Sequence, residues 1–470
     1  MNTGNKDFDR MVNIWNPYQV YNIFYVCREI SFYATGTVRG VGVRDSSQDA
    51  LSNVMFDLHA TKEKICDILS EQYKCGKTTH YYFHYENKPS IISDRSDNHL
   101  WIVYTIYEYI MESGDLSILD EVVPYYDGGE GTILEHMNAS IKFSINNLGP
   151  HNIPLMLGSD WNDCLNTICK KGKGESVMVA EQLVLAAKNL KEIYILKKLD
   201  SKWLEDVILS QTKVINEVFF DTDHYIRATT DSGLFVGGNK EPYGRIWLNS
   251  NSWAVFSGAA DIIKGNLAMD SVMNKLNSEV GLAKQFPALV PGYPSKKEEI
   301  SWATPGVGEN GGVFCHANAW AIIALCMLNR GNEAFEIFDK LIPDHVIDKV
   351  GVERYICEPY AYSSNIRAIY ADRGGEGAVS WVTGTSTWMY YAATHYILGI
   401  KPKFDCLEIN PVLPDTIQKA HVTRIFMDST YNIDIVRNDK MKGQILVDGK
   451  IASSKKVKPM AKNINVVCYI

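Results

Sequence analysis

The fold class is decided by the segment Ala317-Asn318-Ala319-Trp320-Ala321-Ile322-Ile323-Ala324-Leu325-Cys326-Met327-Leu328. It is apolar nearly all round, and such a helix has to be buried on more than one side, as in the inner ring of a helical barrel. The segment from Trp388 to Leu398 has the same character. These two segments predict a mainly α-helical protein.

Two further helices are indicated by apolar residues at helical spacing. The first carries Leu100, Tyr104 and Met111 and stops at Gly114. The second follows Ser176, whose side chain is suited to cap the helix N-terminus.

The pattern changes after Gly399. From Tyr431 to Ile435, apolar and polar residues alternate with the period of a strand. The segment Gln444 to Val447 reads as a strand that runs into a hairpin turn at Asp448-Gly449. We therefore predict a helical domain over residues 1–399 and a small all-β domain over residues 400–470.

Composition narrows the class of protein. The 470 residues include 47 Lys and Arg against 55 Asp and Glu, a net charge of -8, with no basic stripe for nucleic acid. No apolar stretch reaches the roughly 18 residues that suggest a membrane span, and the first residues lack the apolar core of a signal peptide. The ten cysteines are scattered without a Cys-x-x-Cys pair, which favours free thiols in a reducing cytoplasm over disulfides or a zinc site. We expect a cytoplasmic protein with no metal.

Two polar loops in the first half could bind a sugar. The stretch from Val38 to Asp49 places Arg39, Arg44 and Asp45 among glycines, and arginine gives forked hydrogen bonds to hydroxyl pairs or phosphate. The alternative is a solvated turn in which Asp45 or Ser46 caps a helix.

The second of these loops is Gly158-Ser159-Asp160-Trp161-Asn162-Asp163. Trp161 offers a stacking face, and its apolar wall is expected to raise the pKa of a neighbouring carboxylic acid, which could then protonate a glycosidic oxygen. The alternative is an Asx-turn that caps the next helix.

Two later loops are suited to an anion. Glycines between Pro305 and His316 let backbone N–H groups point at an anion, and His316 can donate to phosphate, although a structural histidine is the alternative. Between Trp381 and Trp388, hydroxyls and N–H groups precede a helix, which suits phosphate or is an ordinary Ser/Thr cap. Nucleotide-binding motifs are missing, so free phosphate or a sugar phosphate is the expected ligand.

Taken in order, these loops and three flanking motifs resemble the glycoside hydrolase family 94 phosphorylases, which include the cellobiose, laminaribiose, cellobionate and chitobiose phosphorylases. The matching segments are Asn13–Gln19, Gly42–Asp49, Asp160–Asp163, Glu309–His316, Glu358–Tyr360, Trp381–Thr385 and Ile409–Pro414.

The resemblance implies an (α/α)6 barrel followed by a C-terminal β-sandwich. It also implies inverting phosphorolysis of a β-linked glucose disaccharide or short oligosaccharide, with α-glucose 1-phosphate as product. Inorganic phosphate is then a co-substrate and no cofactor is expected. The roles that the resemblance implies are general acid for Asp163, glucosyl binding for Arg39, Arg44, Asp45, Trp161 and Glu309, and phosphate binding for His316, Thr383 and Gly384.

Members of the family carry an N-terminal β-sandwich before the barrel, and this sequence begins almost at the barrel. A homodimer, or a separate subunit that supplies the N-terminal domain, is therefore expected. Two other functions stay open. One is an inverting hydrolase on the same barrel, with Glu309 or Asp45 activating water. The other is an inactive sugar-binding fragment, suggested by Ser364 where the family has a glucose-contacting Gln and by Asn98 where it usually has Asp.

Overall fold

A computed structural model gives the fold of residues 1–28, 40–83, 89–300 and 303–470. Of the predicted site residues, Arg39 lies outside these described residues.

The helices occupy most of the chain before residue 400. They are α1 (Lys6–Arg10), α2 (Asn16–Asn22), α3 (Val43–Asn53), α4 (Leu58–Leu69), α5 (Asn98–Ser113), α6 (Ile133–Asn146), α7 (Val177–Leu196), α8 (Lys202–Val218), α9 (Leu248–Phe256), α10 (Ile262–Lys275), α11 (Cys315–Met327), α12 (Gly331–Lys340), α13 (Pro343–Val350), α14 (Val352–Tyr355) and α15 (Thr385–Tyr391). Met11–Trp15, Ile23–Cys27 and Ala392–Ile397 are π-helical, and Ser117–Asp120 and Asp163–Leu165 are 3₁₀ turns.

Six helices form a closed ring in which each packs against the next. The order is α3, α5, α7, α9, α11 and α15, and α15 packs against α3 again. Most residues of the ring helices are buried, and in α11 every residue from Cys315 to Cys326 is buried. A second helix packs against each of them: α4 on α3, α6 on α5, α8 on α7, α10 on α9, α12 on α11 and α2 on α15. The prediction of a mainly helical protein with interior helices is confirmed.

Two of the predicted helix ends are found in the structure, and one predicted helix differs in type. The predicted stop at Gly114 is found, because Gly114 takes a left-handed conformation after α5. The Ser176 hydroxyl accepts the N–H of Val179 and caps α7 as predicted. The predicted helix from Trp388 to Leu398 is α-helical only to Tyr391 and then π-helical, with the N–H of Leu398 bonded to the carbonyl of Ala393.

Inside the ring, four tryptophans pack ring against ring. Trp101, Trp253, Trp320 and Trp388 come from α5, α9, α11 and α15, and each is at most 1% exposed. Trp320 lies 5.9, 5.3 and 5.8 Å from Trp101, Trp253 and Trp388 between ring centroids. The contact with Trp101 is stacked and the other two are edge-to-face, and both arrangements add to the stabilisation from burying large apolar rings. This tryptophan cluster fills the interior of the ring.

Short strands link the helices, and longer ones form sheets at the C-terminal end. In chain order they are β1 (Val41–Gly42), β2 (Tyr81–Tyr82), β3 (Val122–Pro124), β4 (Glu130–Thr132), β5 (Phe220–Asp221), β6 (His224–Tyr225), β7 (Ala228–Thr229), β8 (Phe235–Val236), β9 (Ile246–Trp247), β10 (Asn277–Ser278), β11 (Gly281–Leu282), β12 (Gln285–Phe286), β13 (Val313–Phe314), β14 (Ser363–Ile366), β15 (Gly377–Ser380), β16 (Ile400–Pro402), β17 (Leu407–Ile409), β18 (Lys419–Phe426), β19 (Ser429–Val436), β20 (Ile445–Val447), β21 (Lys450–Ile451), β22 (Lys456–Val457) and β23 (Asn463–Tyr469).

The region after residue 400 consists of two sheets. One has the order β18-β19-β23-β20-β21, and the other has the order β16-β17-β22. Within the first sheet, β19 pairs antiparallel with β18 and parallel with β23. The predicted hairpin is present, because β20 and β21 pair across Asp448 and Gly449, both with positive φ. The predicted domain boundary at residue 399 stays a prediction.

Among the residues that the structure describes, no helix is both long and apolar enough to cross a bilayer. All ten cysteines are free thiols. No three His, Cys, Asp or Glu side chains in the described ranges are grouped so that they could hold a metal ion.

A fully buried ion pair fixes the loop that precedes α7. Arg227 Nη2 lies 2.7 and 2.6 Å from the two carboxylate oxygens of Asp160, and neither side chain is exposed. Asp160 also accepts the backbone N–H of Asn162 at 2.8 Å and the hydroxyl of Ser176 at 2.6 Å. Asp160 therefore forms an Asx-turn, but the predicted capping of the next helix is not found, because the 3₁₀ turn Asp163–Leu165 has no side-chain cap and Ser176 caps α7. The loop that carries Trp161 and Asp163 is tied to the start of α7.

Replacing Arg227 by Met is expected to lower the free energy of unfolding by about 3–5 kcal/mol, because Asp160 would remain as a buried carboxylate without its cation. Urea unfolding followed by circular dichroism measures the change. Adding Asp160→Asn should recover part of the loss, since it removes the unpaired charge. Arg10→Met, at an exposed arginine, should change the stability by less than about 0.5 kcal/mol. A double variant no more stable than Arg227→Met would contradict this assignment.

Candidate active site

The predicted site residues meet at a cavity of about 150 Å³, at the end of the ring where α3, α11 and α15 begin. Apart from Arg39, which is outside the described residues, every one of them lines it. They are Arg44, Asp45, Trp161, Asp163, Glu309, His316, Thr383 and Gly384, together with Arg28, Gly42, His80, Tyr81, Phe314, Ser364 and Val382.

The Asp163 carboxyl group lies between two arginines. Its Oδ1 is 3.3 Å from Arg44 Nη1 and 3.2 Å from Arg95 Nη1, and the side chain is 47% exposed. Burial raises the pKa of Asp163, but the two guanidinium groups outweigh it and leave the pKa below its ordinary value. The prediction that the apolar wall of Trp161 raises this pKa is therefore wrong for the free protein, because cations from other segments contact the carboxylate.

Glu309 holds the backbone of the same loop. Its carboxylate accepts the N–H groups of Asp163 at 3.3 Å and Cys164 at 2.9 Å. The fully buried Lys284 ammonium is 3.5 Å from Glu309 and lies over the rings of Trp161 and Phe314, at 4.8 and 4.5 Å from their centroids. Much of the hydrogen-bonding capacity of Glu309 is thus used to fix the position of Asp163.

Trp161 is mostly enclosed by other aromatic side chains. It is 7% exposed and makes edge contacts with Phe314, His316 and Trp320 at 5.1, 5.0 and 4.7 Å between centroids. Only a small part of the indole therefore faces the cavity.

Arg44 and Arg28 bring buried positive charge to the start of α3. Arg44 Nη2 lies 2.8 Å from both Asp97 Oδ1 and the carbonyl oxygen of Asp160. Arg28 bonds Asp49 at 2.7 Å and lies 3.5 Å from Asp45.

The interpretation of Asp45 or Ser46 as the cap of this helix is wrong, because Gly42 is the N-cap of α3. A Cβ on Gly42 would lie 2.8 Å from Asp45 Oδ2, so the glycine makes room for that carboxylate.

The predicted phosphate-binding residues lie side by side. His316 is the second residue of α11, and burial lowers its pKa to about 3, so the ring is neutral. The Thr383 hydroxyl is 2.7 Å from that of Thr385 and accepts the Thr385 N–H. A Cβ on Gly384 would lie 2.6 Å from His316 Cε1, so only glycine lets the chain approach the imidazole this closely.

Sequence reasoning missed several groups at this site. Arg28, Arg95 and Lys284 belong to none of the segments singled out, and only folding brings them to the cavity or to its carboxylates. Gln48 lies inside the segment Gly42–Asp49, but nothing in the sequence predicts its contacts with His316 and Trp388. Ser364, which replaces an expected Gln, lines the cavity and donates to the carbonyl of Ala378 at 2.9 Å.

The chain resembles known proteins over almost its whole length. Its solabiose phosphorylase relative from Paenibacillus borealis is 34% identical over 448 residues, 94% of this chain and 56% of that protein. The N,N'-diacetylchitobiose phosphorylase of Vibrio furnissii is 34% identical over 506 residues, 99% of this chain and 61% of that protein. The chain thus spans a little over half the length of these relatives.

A solved structure shares the fold at low sequence identity. The GH63 mannosylglycerate hydrolase from Thermus thermophilus, in complex with Tris, is 10% identical, with a TM-score of 0.55 over 82% of this chain and 100% of that chain. The family model described as the glycosyl hydrolase 94 superfamily, catalytic domain, matches residues 1–399. With these matches and the resemblance of the ordered motifs, this chain belongs to the glycosyl hydrolase 94 superfamily.

Proposed function

We propose that this chain carries the catalytic site for inverting phosphorolysis of a β-linked glucose disaccharide or short oligosaccharide, with α-glucose 1-phosphate as product. One observation carries the proposal: a single cavity is lined by the carboxyl group of Asp163 and by His316, Thr383 and Gly384. We take the ring of six helices, with a second helix on each, as an (α/α)6 barrel whose one end forms the site.

The proposed reaction needs one carboxylic acid. Asp163 gives its proton to the glycosidic oxygen as the bond from that oxygen to the anomeric carbon breaks. A phosphate oxygen attacks the same carbon from the opposite face, so the configuration inverts. Because phosphate is already an anionic nucleophile, the second carboxylate that an inverting hydrolase needs to activate water is not required.

Two other carboxylates at the cavity already have partners within the protein, which supports phosphate rather than water as the nucleophile. Glu309 is engaged by two backbone N–H groups, so it is poorly placed to act as a base. Asp45 lies 3.5 Å from the Arg28 guanidinium, and this ion pair restricts its use as a base that activates water. We propose instead that Glu309 and Asp45 help to bind the glucosyl unit. Arg39, Arg44 and Trp161 have the same proposed role.

Phosphate has a second part in this mechanism. In the free protein, Arg44 and Arg95 hold the pKa of Asp163 low, which disfavours the protonated form that catalysis needs. An anion bound in the same cavity offsets those positive charges and raises the pKa of Asp163. The bound phosphate therefore helps Asp163 to keep its proton. The proposed reaction uses inorganic phosphate as a co-substrate and needs no cofactor.

The rest of the assembly belongs to the same proposal. We also propose that the chain acts as a homodimer or together with a separate subunit.

Purified protein incubated with a set of β-linked glucose disaccharides is expected to release glucose 1-phosphate from at least one of them, and only when phosphate is supplied. Asp163→Asn should lower that rate by about 10²–10⁴-fold, because the amide cannot protonate the leaving oxygen. A coupled assay for glucose 1-phosphate measures both results. Asp94→Asn is the matched control. The Asp94 side chain is exposed, pairs with Lys77 and is not among the residues that line the cavity. Glucose release without phosphate would favour the hydrolase, and sugar binding without turnover would favour an inactive fragment.

Arg95→Met is expected to move the alkaline limb of the pH–rate profile to higher pH. The sign follows from the acid: the rate falls as pH rises through the pKa of Asp163, and removing a cation 3.2 Å away raises that pKa. The measurement is the rate at saturating phosphate across pH. Arg95→Lys keeps the charge and should keep the limb near the wild-type position. A limb that stays in place, or moves to lower pH, in Arg95→Met would contradict the assignment of Asp163 as the acid.

The sugars can be identified in the synthetic direction. Glucose 1-phosphate and N-acetylglucosamine 1-phosphate are offered as donors, each with glucose, gluconate, N-acetylglucosamine and cellobiose as acceptors. Phosphate release scores each pair, and release only with the N-acetylglucosamine donor would replace the glucose-specific part of the proposal.

A further inference from the structure

Gln48 joins the tryptophan cluster to the proposed phosphate site. It lies on α3 one turn after Arg44 and is 1% exposed. Its Oε1 is 2.8 Å from Trp388 Nε1 and 2.9 Å from His316 Nε2, and its Nε2 is 3.1 Å from the backbone carbonyl of Arg44. All polar atoms of this side chain therefore have partners.

These partners determine which way the amide points. The indole N–H of Trp388 can only donate, and the carbonyl of Arg44 can only accept. The atom facing Trp388 is therefore the amide oxygen, and the atom facing Arg44 is the amide nitrogen. Since an amide oxygen only accepts, His316 Nε2 has to carry the hydrogen that joins it to Gln48.

The other nitrogen of the ring then carries a lone pair. Burial lowers the pKa of His316 to about 3; Asp45 opposes this shift, while Arg28, Lys284 and Arg44 add to it. The neutral ring has a single hydrogen, on Nε2, so Nδ1 is an acceptor. Nδ1 has no hydrogen-bond partner among the residues that the structure describes. His316 and Gly384 both line the cavity, and a Cβ on Gly384 would lie 3.0 Å from Nδ1.

We infer that Gln48 is a positioning residue that fixes His316 as the Nε2–H tautomer, so that His316 Nδ1 accepts a hydrogen bond from a protonated oxygen of phosphate. The identity of the anion rests on the proposed function, whereas the tautomer does not. Positive charge at this site comes from the arginines, and the histidine supplies a directional acceptor.

This arrangement has a consequence for which anion binds. Hydrogen phosphate has a P–O–H group that can donate to Nδ1. Sulfate at neutral pH has four acceptor oxygens and no hydrogen, so one of its oxygens would face the Nδ1 lone pair. The site should therefore discriminate between two anions of similar size and shape.

The tautomer can be read directly by ¹⁵N–¹H correlation spectra of protein with ¹⁵N-labelled histidine. The His316 signals are assigned by their loss in His316→Ala. At neutral pH without phosphate, we expect a protonated Nε2 and an unprotonated Nδ1. A spectrum with the hydrogen on Nδ1, or on both nitrogens, would overturn the inference whether or not the protein is a phosphorylase.

Anion binding supplies the second readout. Titration calorimetry with inorganic phosphate and with sulfate should show phosphate bound about tenfold more tightly or better, the effect of one hydrogen bond to a charged group. Gln48→Leu should lose most of this preference, because either nitrogen of His316 can then carry the hydrogen. Gln19→Leu is the matched control, since Gln19 is equally buried and bonds the backbone of Tyr362. Equal binding of sulfate and phosphate by the wild type would refute the inference.

Gln48→Glu tests the direction of the effect. The new carboxylate still accepts from His316 Nε2, but its charge raises the pKa of the imidazole and favours the form with hydrogens on both nitrogens. Sulfate affinity should then rise relative to phosphate, and an unchanged ratio would count against the proposal. Should wild-type protein bind phosphate with this preference yet form no sugar phosphate, the proposed function fails while the role of Gln48 stands. Should it bind neither anion, the histidine spectrum alone decides.

Discussion

Arg44 holds together the end of the ring at which the site lies. From the first turn of α3, its guanidinium group reaches Asp97 at the start of α5, the carbonyl of Asp160 before α7, and the carboxylate of Asp163. A planar group with several fixed donors can satisfy these partners at once, which a lysine ammonium could not do with the same directions. Asp97 is fully buried, so its charge depends on this contact.

The same helix serves both sides of the reaction that we propose. Arg44 faces the acid, and Gln48, one turn later, faces His316 and the tryptophan cluster. Helix α3 therefore contacts both the proposed proton donor and the proposed phosphate site. Beneath them, large aromatic rings at close contact leave little freedom for these side chains to move, because packed interiors resist displacement.

The arginines and the histidine at the site differ in charge. Arg28 and Arg44 are permanent cations paired with buried carboxylates, whereas burial keeps His316 neutral. Two other contacts fix the loop that carries Asp163: Glu309 accepts the backbone N–H groups of Asp163 and Cys164, and Arg227 pairs with the side chain of Asp160. Fixing the loop in advance reduces the reorganisation needed when charge develops.

Local pattern was sufficient for the elements whose signals lie within a few residues of one another. The apolar helix around Trp320, the stop at Gly114, the cap at Ser176 and the hairpin at Asp448-Gly449 depend on short-range spacing, and each was found as predicted. The ordered motifs likewise identified the family and named the residues that line one cavity.

Only the tertiary structure decided the electrostatics and the hydrogen bonding of the site. The pKa of Asp163 is lowered because Arg44 and Arg95, both remote from it in the sequence, contact its carboxylate. The hydrogen on His316 is assigned by Gln48, which in turn is oriented by Trp388 from the far end of the chain. Charge and hydrogen-bond direction depend on distances of a few ångströms between remote segments, and those distances exist only once the ring has closed.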